Sequence, residues 1–241
     1  MKDNNKRTGF PALDKLTTGL VNGSLVVIAS RPAMGKTGLA LNIANHLAKE
    51  KNQTIVIFSL EMSAEQMTFR LQKAGGTMDA KDGNLRIYDD PVMTVRKMST
   101  ICDGIDNLGV VIIDYIQLIH STEDTFRRKN RRMELTQLSR QLKRMAQKRN
   151  VPVVCLSQLS RTVEYRVDKR PVLSDFFDSG ALVQDADQIL LLYRDRYYHP
   201  ETALGDLTEC IVAKNRYGDP GVGKLWWNPE SLAFSNKGGA E

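Results

Sequence analysis

The sequence predicts an α/β domain: a mostly parallel sheet with helices on both faces, ending in antiparallel strands near the C-terminus. Three observations point there. Continuous apolar runs alternate with helix-like stretches almost throughout, and strands apolar on both faces are those buried between two helical layers. The clearest are Leu25-Val26-Val27-Ile28-Ala29 and Val110-Val111-Ile112-Ile113-Asp114. The alternation then breaks after Gln188-Ile189-Leu190-Leu191-Leu192-Tyr193, where residues 207–213 and 222–227 flank Gly218-Asp219-Pro220-Gly221, a hairpin pattern.

Each element has its own reason. A helix over 38–49 follows the first strand, and Thr54-Ile55-Val56-Ile57-Phe58-Ser59 is the second strand. Residues 64–74 are helical behind Ser63, a good N-cap. The weaker strand Leu85-Arg86-Ile87-Tyr88 precedes a helix over 95–108 with Thr94 placed to cap it. After the strand at 110–114 comes a long basic helix over 131–149, then Val153-Val154-Cys155-Leu156-Ser157. In that helix Leu135, Leu138, Leu142 and Met145 form a stripe for the sheet. Arg140, Lys143, Arg144, Lys148 and Arg149 fall mainly on the other side, a face for solvent or nucleic acid. The stretch 160–175 is polar, charged and aperiodic, and is expected as a long mobile loop. Residues 1–7 and 237–241 are expected as loose tails around one domain over 8–236.

Composition narrows the class without deciding function. With 41% hydrophobic and 26% charged residues, the 241-residue chain has an ordinary globular balance. No apolar stretch approaches the roughly 18 residues a membrane span needs, and the polar start Met1-Lys2-Asp3-Asn4-Asn5 leads into no signal-type apolar segment. A soluble, cytoplasmic protein without membrane contact is the expectation. Cys102, Cys155 and Cys210 are scattered in apolar sequence, the pattern of buried thiols rather than of a disulfide framework or metal cluster. The net charge of +6 is compatible with a polyanionic partner, and many basic proteins bind none.

The chemistry is concentrated at strand ends. Ser30-Arg31-Pro32-Ala33-Met34-Gly35-Lys36-Thr37 sits between a strand and a helix, the context of a P-loop. Backbone N–H groups of such a turn, with the positive end of the next helix, replace the hydration of a polyphosphate. Lys36 is placed to reach the β- and γ-phosphates of ATP and Thr37 to bind Mg²⁺. Ser30 stands where the first glycine of the general pattern belongs. Ligands of open α/β sheets bind beyond the carboxyl ends of strands. Asp114 there is placed as a Walker B carboxylate for Mg²⁺, Glu61 as a base for an attacking water, and Gln158 as a neutral partner for the γ-phosphate.

These residues also carry a family resemblance. Phe58-Ser59-Leu60-Glu61-Met62-Ser63, Val111-Ile112-Ile113-Asp114-Tyr115-Ile116-Gln117-Leu118, Leu156-Ser157-Gln158-Leu159-Ser160-Arg161 and Ala213-Lys214-Asn215-Arg216-Tyr217-Gly218 resemble the successive motifs of DnaB-family replicative helicases. So do Thr8-Gly9-Phe10-Pro11-Ala12-Leu13-Asp14, Gln184-Asp185-Ala186-Asp187 and the run 163–171, in motif order from Thr8 to Asn236.

The resemblance implies a RecA-like P-loop ATPase domain, assembling as a ring of usually six subunits around single-stranded DNA and moving 5′ to 3′. Nucleotide would sit between neighbours. Lys214 and Arg216 match positions that reach into the next subunit's site, where a guanidinium is worth roughly three to five decades in rate. Primase and a helicase loader are the implied partners. The segment usually written Leu-Arg-Glu-Ser-Gly, which contacts DNA, reads Phe176-Phe177-Asp178-Ser179-Gly180 here, so one charged phosphate contact is missing. Main-chain N–H groups near Asp178 and Gly180 remain for phosphate, and Phe177 is either a base-stacking ring or a buried one. Arg161, Arg166, Lys169 and Arg170 are the compensating cations, or else a solvated loop. Nothing before Thr8 matches the helical N-terminal domain and linker helix of the family, so a shortened or stand-alone motor with a weakened ring is expected. Two other readings stay open: a RecA-like recombinase or clock-type ATPase, and a non-catalytic nucleotide-binding adaptor of replication.

Overall fold

A computed structural model describes residues 5–49, 53–76, 84–120, 131–176 and 180–236. Along the chain run α1 (Pro11–Thr17), β1 (Leu25–Ser30), α2 (Lys36–Ala48), β2 (Thr54–Ser59), α3 (Ala64–Lys73), β3 (Leu85–Tyr88), α4 (Val95–Asp103) and β4 (Leu108–Asp114). Then follow α5 (Arg131–Arg149), β5 (Val153–Gln158), α6 (Gly180–Asp185), β6 (Gln188–Arg194), α7 (Asp195–Tyr198), β7 (Leu207–Asn215), β8 (Gly221–Asn228) and β9 (Ala233–Ser235).

Among the described residues these strands form one sheet in the order β3-β2-β4-β5-β1-β6-β7-β8-β9. The first six are parallel and the last three antiparallel. Strand periodicity explains why the runs are wholly apolar: Leu25, Val27 and Ala29 face the side covered by α4 and α5, whereas Val26 and Ile28 face the side covered by α1, α2 and α3. Cys102, Cys155 and Cys210 are free thiols buried inside these two layers.

Four expectations change. The helix expected over 95–108 stops at Asp103, because Gly104 follows it and Asn107 adopts a left-handed φ of 53° that turns the chain into β4. Within the expected N-terminal tail, Lys6 bridges Leu20 and the Asn5 amide donates to the Thr18 carbonyl. On α5, Lys143 pairs with Asp187 and Arg149 with Asp103, so two of the five basic residues face protein instead of solvent or nucleic acid.

The fourth change concerns the stretch expected as a mobile loop. It carries two 3-10 turns, Arg161–Tyr165 and Leu173–Asp175, tied down by charge. Arg166 is bidentate to buried Asp175, Arg170 is bidentate to Glu209, and Glu164 binds Arg31. Such fork-to-carboxylate pairs order a segment without any hydrophobic period, which is why periodicity misses them.

Candidate active site

Residues 31–35 join β1 to α2, and Pro32, Ala33 and Gly35, with Lys36, Thr37 and Gly38 of α2, line a cleft. Gly35 has φ of 98°, and a Cβ there would lie 2.7 Å from the Phe234 ring, so both backbone and packing demand glycine. Thr37 donates its hydroxyl to Asp114 Oδ2 at 2.7 Å, joining α2 to the end of β4. Asp114 is buried, and its Oδ1 has no hydrogen-bond partner among the described residues. Burial pushes its carboxyl above the usual range, while the Thr37 hydrogen bond and the Lys36 charge favour the ionised form. The Lys36 ammonium lies 5.4 Å from the Tyr115 ring centre. A buried carboxylate oxygen without a partner beside a threonine hydroxyl fits a hard cation. One carboxylate and one hydroxyl suit Mg²⁺, which keeps waters and phosphate oxygens for its other positions.

Glu61 is placed by the turn after β2. Leu60 N–H donates to the Asp114 carbonyl at 2.7 Å, Ser59 Oγ donates to the Met62 carbonyl, and Ser63 and Gln66 close a capping box at the start of α3. Gln158 ends β5, in register with Ser30 on β1. Its backbone is clamped by Gln117, whose amide donates to the Gln158 carbonyl at 3.0 Å and accepts from the Gln158 N–H at 3.3 Å. The cleft encloses about 730 Å³ and is lined by Pro32, Ala33, Gly35, Lys36, Thr37, Glu61 and Gln158, among others. Its lining mixes a cation, a carboxylate, amides and an apolar wall, a combination suited to gripping a nucleotide and delivering a water to it.

Not every expected residue is brought there. Ser30 is buried with its hydroxyl on the Arg31 carbonyl, Met34 is buried in the core, and Arg31 turns away to Glu164 and the Leu159 carbonyl. These three support the loop from behind. Lys214 and Arg216 lie at the opposite end of the sheet: Lys214 donates to the Val183 and Gln184 carbonyls, and Arg216 to Asp187 and the Gln184 carbonyl. The Arg216 N–H bonds to Asp187, whose own N–H bonds to Leu25, five strand residues or roughly 16 Å below Ser30. Of the loop cations, Arg161 is exposed, Arg166 and Arg170 hold their carboxylates, and Lys169 donates to the Glu164 and Arg166 carbonyls. Gly180 is exposed at the start of α6, and Phe177 and Asp178 lie outside the described residues.

Sequence reasoning missed the cleft's far wall. Trp227 and Leu232 line it, and Trp227 packs on Gly38, whose Cβ would lie 2.9 Å from the indole. Arg70 and Gln66 of α3 also line the cleft. An aromatic closing an amphipathic strand is the one available signal for the wall. Gln117 lies inside the motif at 111–118, and nothing local gives it a role there.

This geometry has relatives. The profile of the DnaB-like helicase C-terminal domain matches residues 6–85 and 76–236. The chain belongs to that family. It is 38% identical over 255 residues to the replicative DNA helicase DnaB of Geobacillus stearothermophilus, covering 95% of this chain and 56% of that protein. It is 39% identical to the replicative DNA helicase DnaC of Bacillus subtilis (strain 168), with the same coverage. The chain thus spans little more than half the length of these DnaB-family relatives. Among solved structures, one ATPase domain superposes with a TM-score of 0.87 at 33% identity, covering 97% of this chain and 92% of that one. A DnaB-like replicative helicase, solved with respect to its interactions with primase, superposes at a TM-score of 0.85 with 33% identity, covering 96% of this chain and 63% of that one. The RadB recombinase, at 19% identity and a TM-score of 0.67, shares the RecA-like fold.

Proposed function

We propose that this chain is the ATP-driven motor of a DnaB-type replicative DNA helicase, hydrolysing ATP at subunit interfaces of a ring, six-membered when complete, and moving 5′ to 3′ on single-stranded DNA. The supporting observation is a division of labour. Lys36, Thr37, Asp114 and Glu61 meet at one end of the sheet, and the two other family cations, Lys214 and Arg216, stand at the other. A site arranged so calls for a second copy.

In this reading Lys36 and the loop amides hold the triphosphate of ATP, and Thr37 with Asp114 hold Mg²⁺, which when bound neutralises phosphate charge. Glu61 takes the proton of the attacking water, and Gln158, clamped by Gln117, hydrogen-bonds the γ-phosphate. Lys214 and Arg216 of one subunit neutralise charge on the phosphoryl group in the next. Glu61 in the cleft favours hydrolysis over mere binding, since an adaptor has no need of a base.

Single-stranded DNA is contacted by Gly180, by Phe177 and Asp178, and by Arg161, while Arg166, Lys169 and Arg170 shape the neighbouring loop. The relatives are replicative helicases, and one superposing structure is of a DnaB-like replicative helicase and its interactions with primase. Primase and a loader are the partners proposed, in the cytoplasm. No helix of the described residues is long and apolar enough to cross a membrane.

DNA-stimulated ATP hydrolysis, measured together with the mass of the assembled species, tests this. Turnover is expected to rise with ring formation and to fall at least ~100-fold in Lys36→Ala. Undiminished turnover in Lys36→Ala, or robust turnover by a demonstrated monomer, refutes it.

A further inference from the structure

The residue behind the P-loop that the reaction does not yet use is Arg194, the last residue of β6. Its Nη1 donates to the Ala33 carbonyl at 3.1 Å, and its guanidinium carbon lies 4.9 Å from the centre of the Trp227 ring. Its Nε is buried with no hydrogen-bond partner among the described residues. Burying a guanidinium with an orphaned N–H is unfavourable, and such arrangements persist where they hold something in place.

What it holds is the one non-glycine residue of the loop in the left-handed region, Ala33, with φ of 61°. In a trans peptide the carbonyl and the following N–H point in opposite directions. With the Ala33 carbonyl fixed on Arg194, the N–H of Met34 is turned away from Arg194, and the residues on either side of it, Ala33 and Gly35, line the cleft. The Trp227 ring lies against the guanidinium and also packs on Gly35 and Gly38.

We infer that Arg194 is a positioning residue for nucleotide binding: it sets the Ala33–Met34 peptide so that the loop is ready for a polyphosphate before one arrives. The inference rests on the reading of the cleft as an ATP site, and deepens it.

The test compares Arg194→Met, which keeps bulk and loses the donor, with Arg194→Lys, which keeps a donor of nearly the same reach, both in the full chain. For Arg194→Met, Kd for ATP and ADP is expected to rise about fivefold to tenfold, with KM rising in step and kcat within about twofold. Amide exchange should quicken at residues 33–36 of the nucleotide-free protein and not elsewhere. Arg194→Lys is expected within about threefold of the unsubstituted chain. Unchanged affinity and exchange in folded Arg194→Met overturn the inference, as does an Arg194→Lys protein as weak as Arg194→Met. If Arg194→Met does not fold, Arg194→Lys decides alone: a tenfold loss there defeats donation as the cause, and retention supports it. Lys36→Ala runs alongside: if it binds ATP undiminished, the reading of the cleft itself fails, whereas a loss there beside an intact Arg194→Met defeats only the positioning role.

Discussion

Asp114, which ends β4, and Asp187, which precedes β6, are both buried carboxylates, and they stand at opposite ends of the sheet. Asp187 is satisfied: Oδ2 accepts from the Leu25 N–H at 2.7 Å and from Lys143 at 2.7 Å, and Oδ1 from Arg216 at 3.0 Å. Among the described residues Asp114 has one hydroxyl partner and an unpartnered oxygen. The contrast separates architecture from chemistry without a ligand in view. A saturated carboxylate commits its charge to the fold, whereas an unsaturated one at the same depth is held ready for something else.

Arg216 tests the boundary between the two, because it touches Asp187 while about half its side chain is exposed. Arg216→Ala is expected to lower ATP turnover of the assembled ring by roughly three decades and to leave the melting temperature within ~2 °C. Rings co-assembled from Lys36→Ala and Arg216→Ala subunits should recover part of the activity, since some interfaces then pair an intact loop with an intact arginine. A large drop in melting temperature with normal turnover would move Arg216 to the architectural side.

Next in size is Asp114→Asn. Mg²⁺-dependent hydrolysis should fall about 100-fold or more, while calorimetry should show equal or higher stability, because a buried charge short of partners has gone. Asp187→Asn should do the reverse. It leaves Lys143 partly buried and uncompensated, so stability falls by about 3 kcal/mol, or ~6–12 °C in a domain of this size, with nucleotide affinity of the isolated chain unchanged within about twofold. If both variants melt alike, the contrast is broken.

Asp195 provides the smallest effect and a calibration. Its carboxylate accepts from Thr202, Tyr193 and His199, and the Thr202 and Tyr193 hydroxyls draw its pKa down to about 2. A depressed acid stabilises the fold above its unfolded value and loses that contribution as pH falls toward the folded one. Asp195→Asn should therefore melt ~2–4 °C below the unsubstituted chain at pH 7, and the gap should close as pH falls from about 4 to 2.

How much of this could be read beforehand depends on the range of the interactions. The parallel strands, the turn ending in Gly35-Lys36-Thr37 and the places of Asp114, Glu61 and Gln158 at or just beyond strand ends were legible, because burial on both faces and strand-to-helix turns leave local patterns. The ion pairs that order residues 160–175 were not: Glu164 meets Arg31, 133 positions away, and no local rule announces that. The same holds for Asp187 and the Leu25 N–H, 162 positions apart, and for the wall formed by Trp227 and Leu232. Helix α1 escaped because its seven residues are too few to show a period, although Pro11 marks its first turn.

The packing of Phe234 and Trp227 against the turn at Gly35 and Gly38 has a consequence for biosynthesis. Phe234 N–H donates to the Asn42 side chain across 192 positions, so the backing of this loop is supplied by a strand synthesised long after it. Until that strand docks, a nascent chain carries the loop without its backing, and in the proposed reading a firm hold on nucleotide has to wait for that docking.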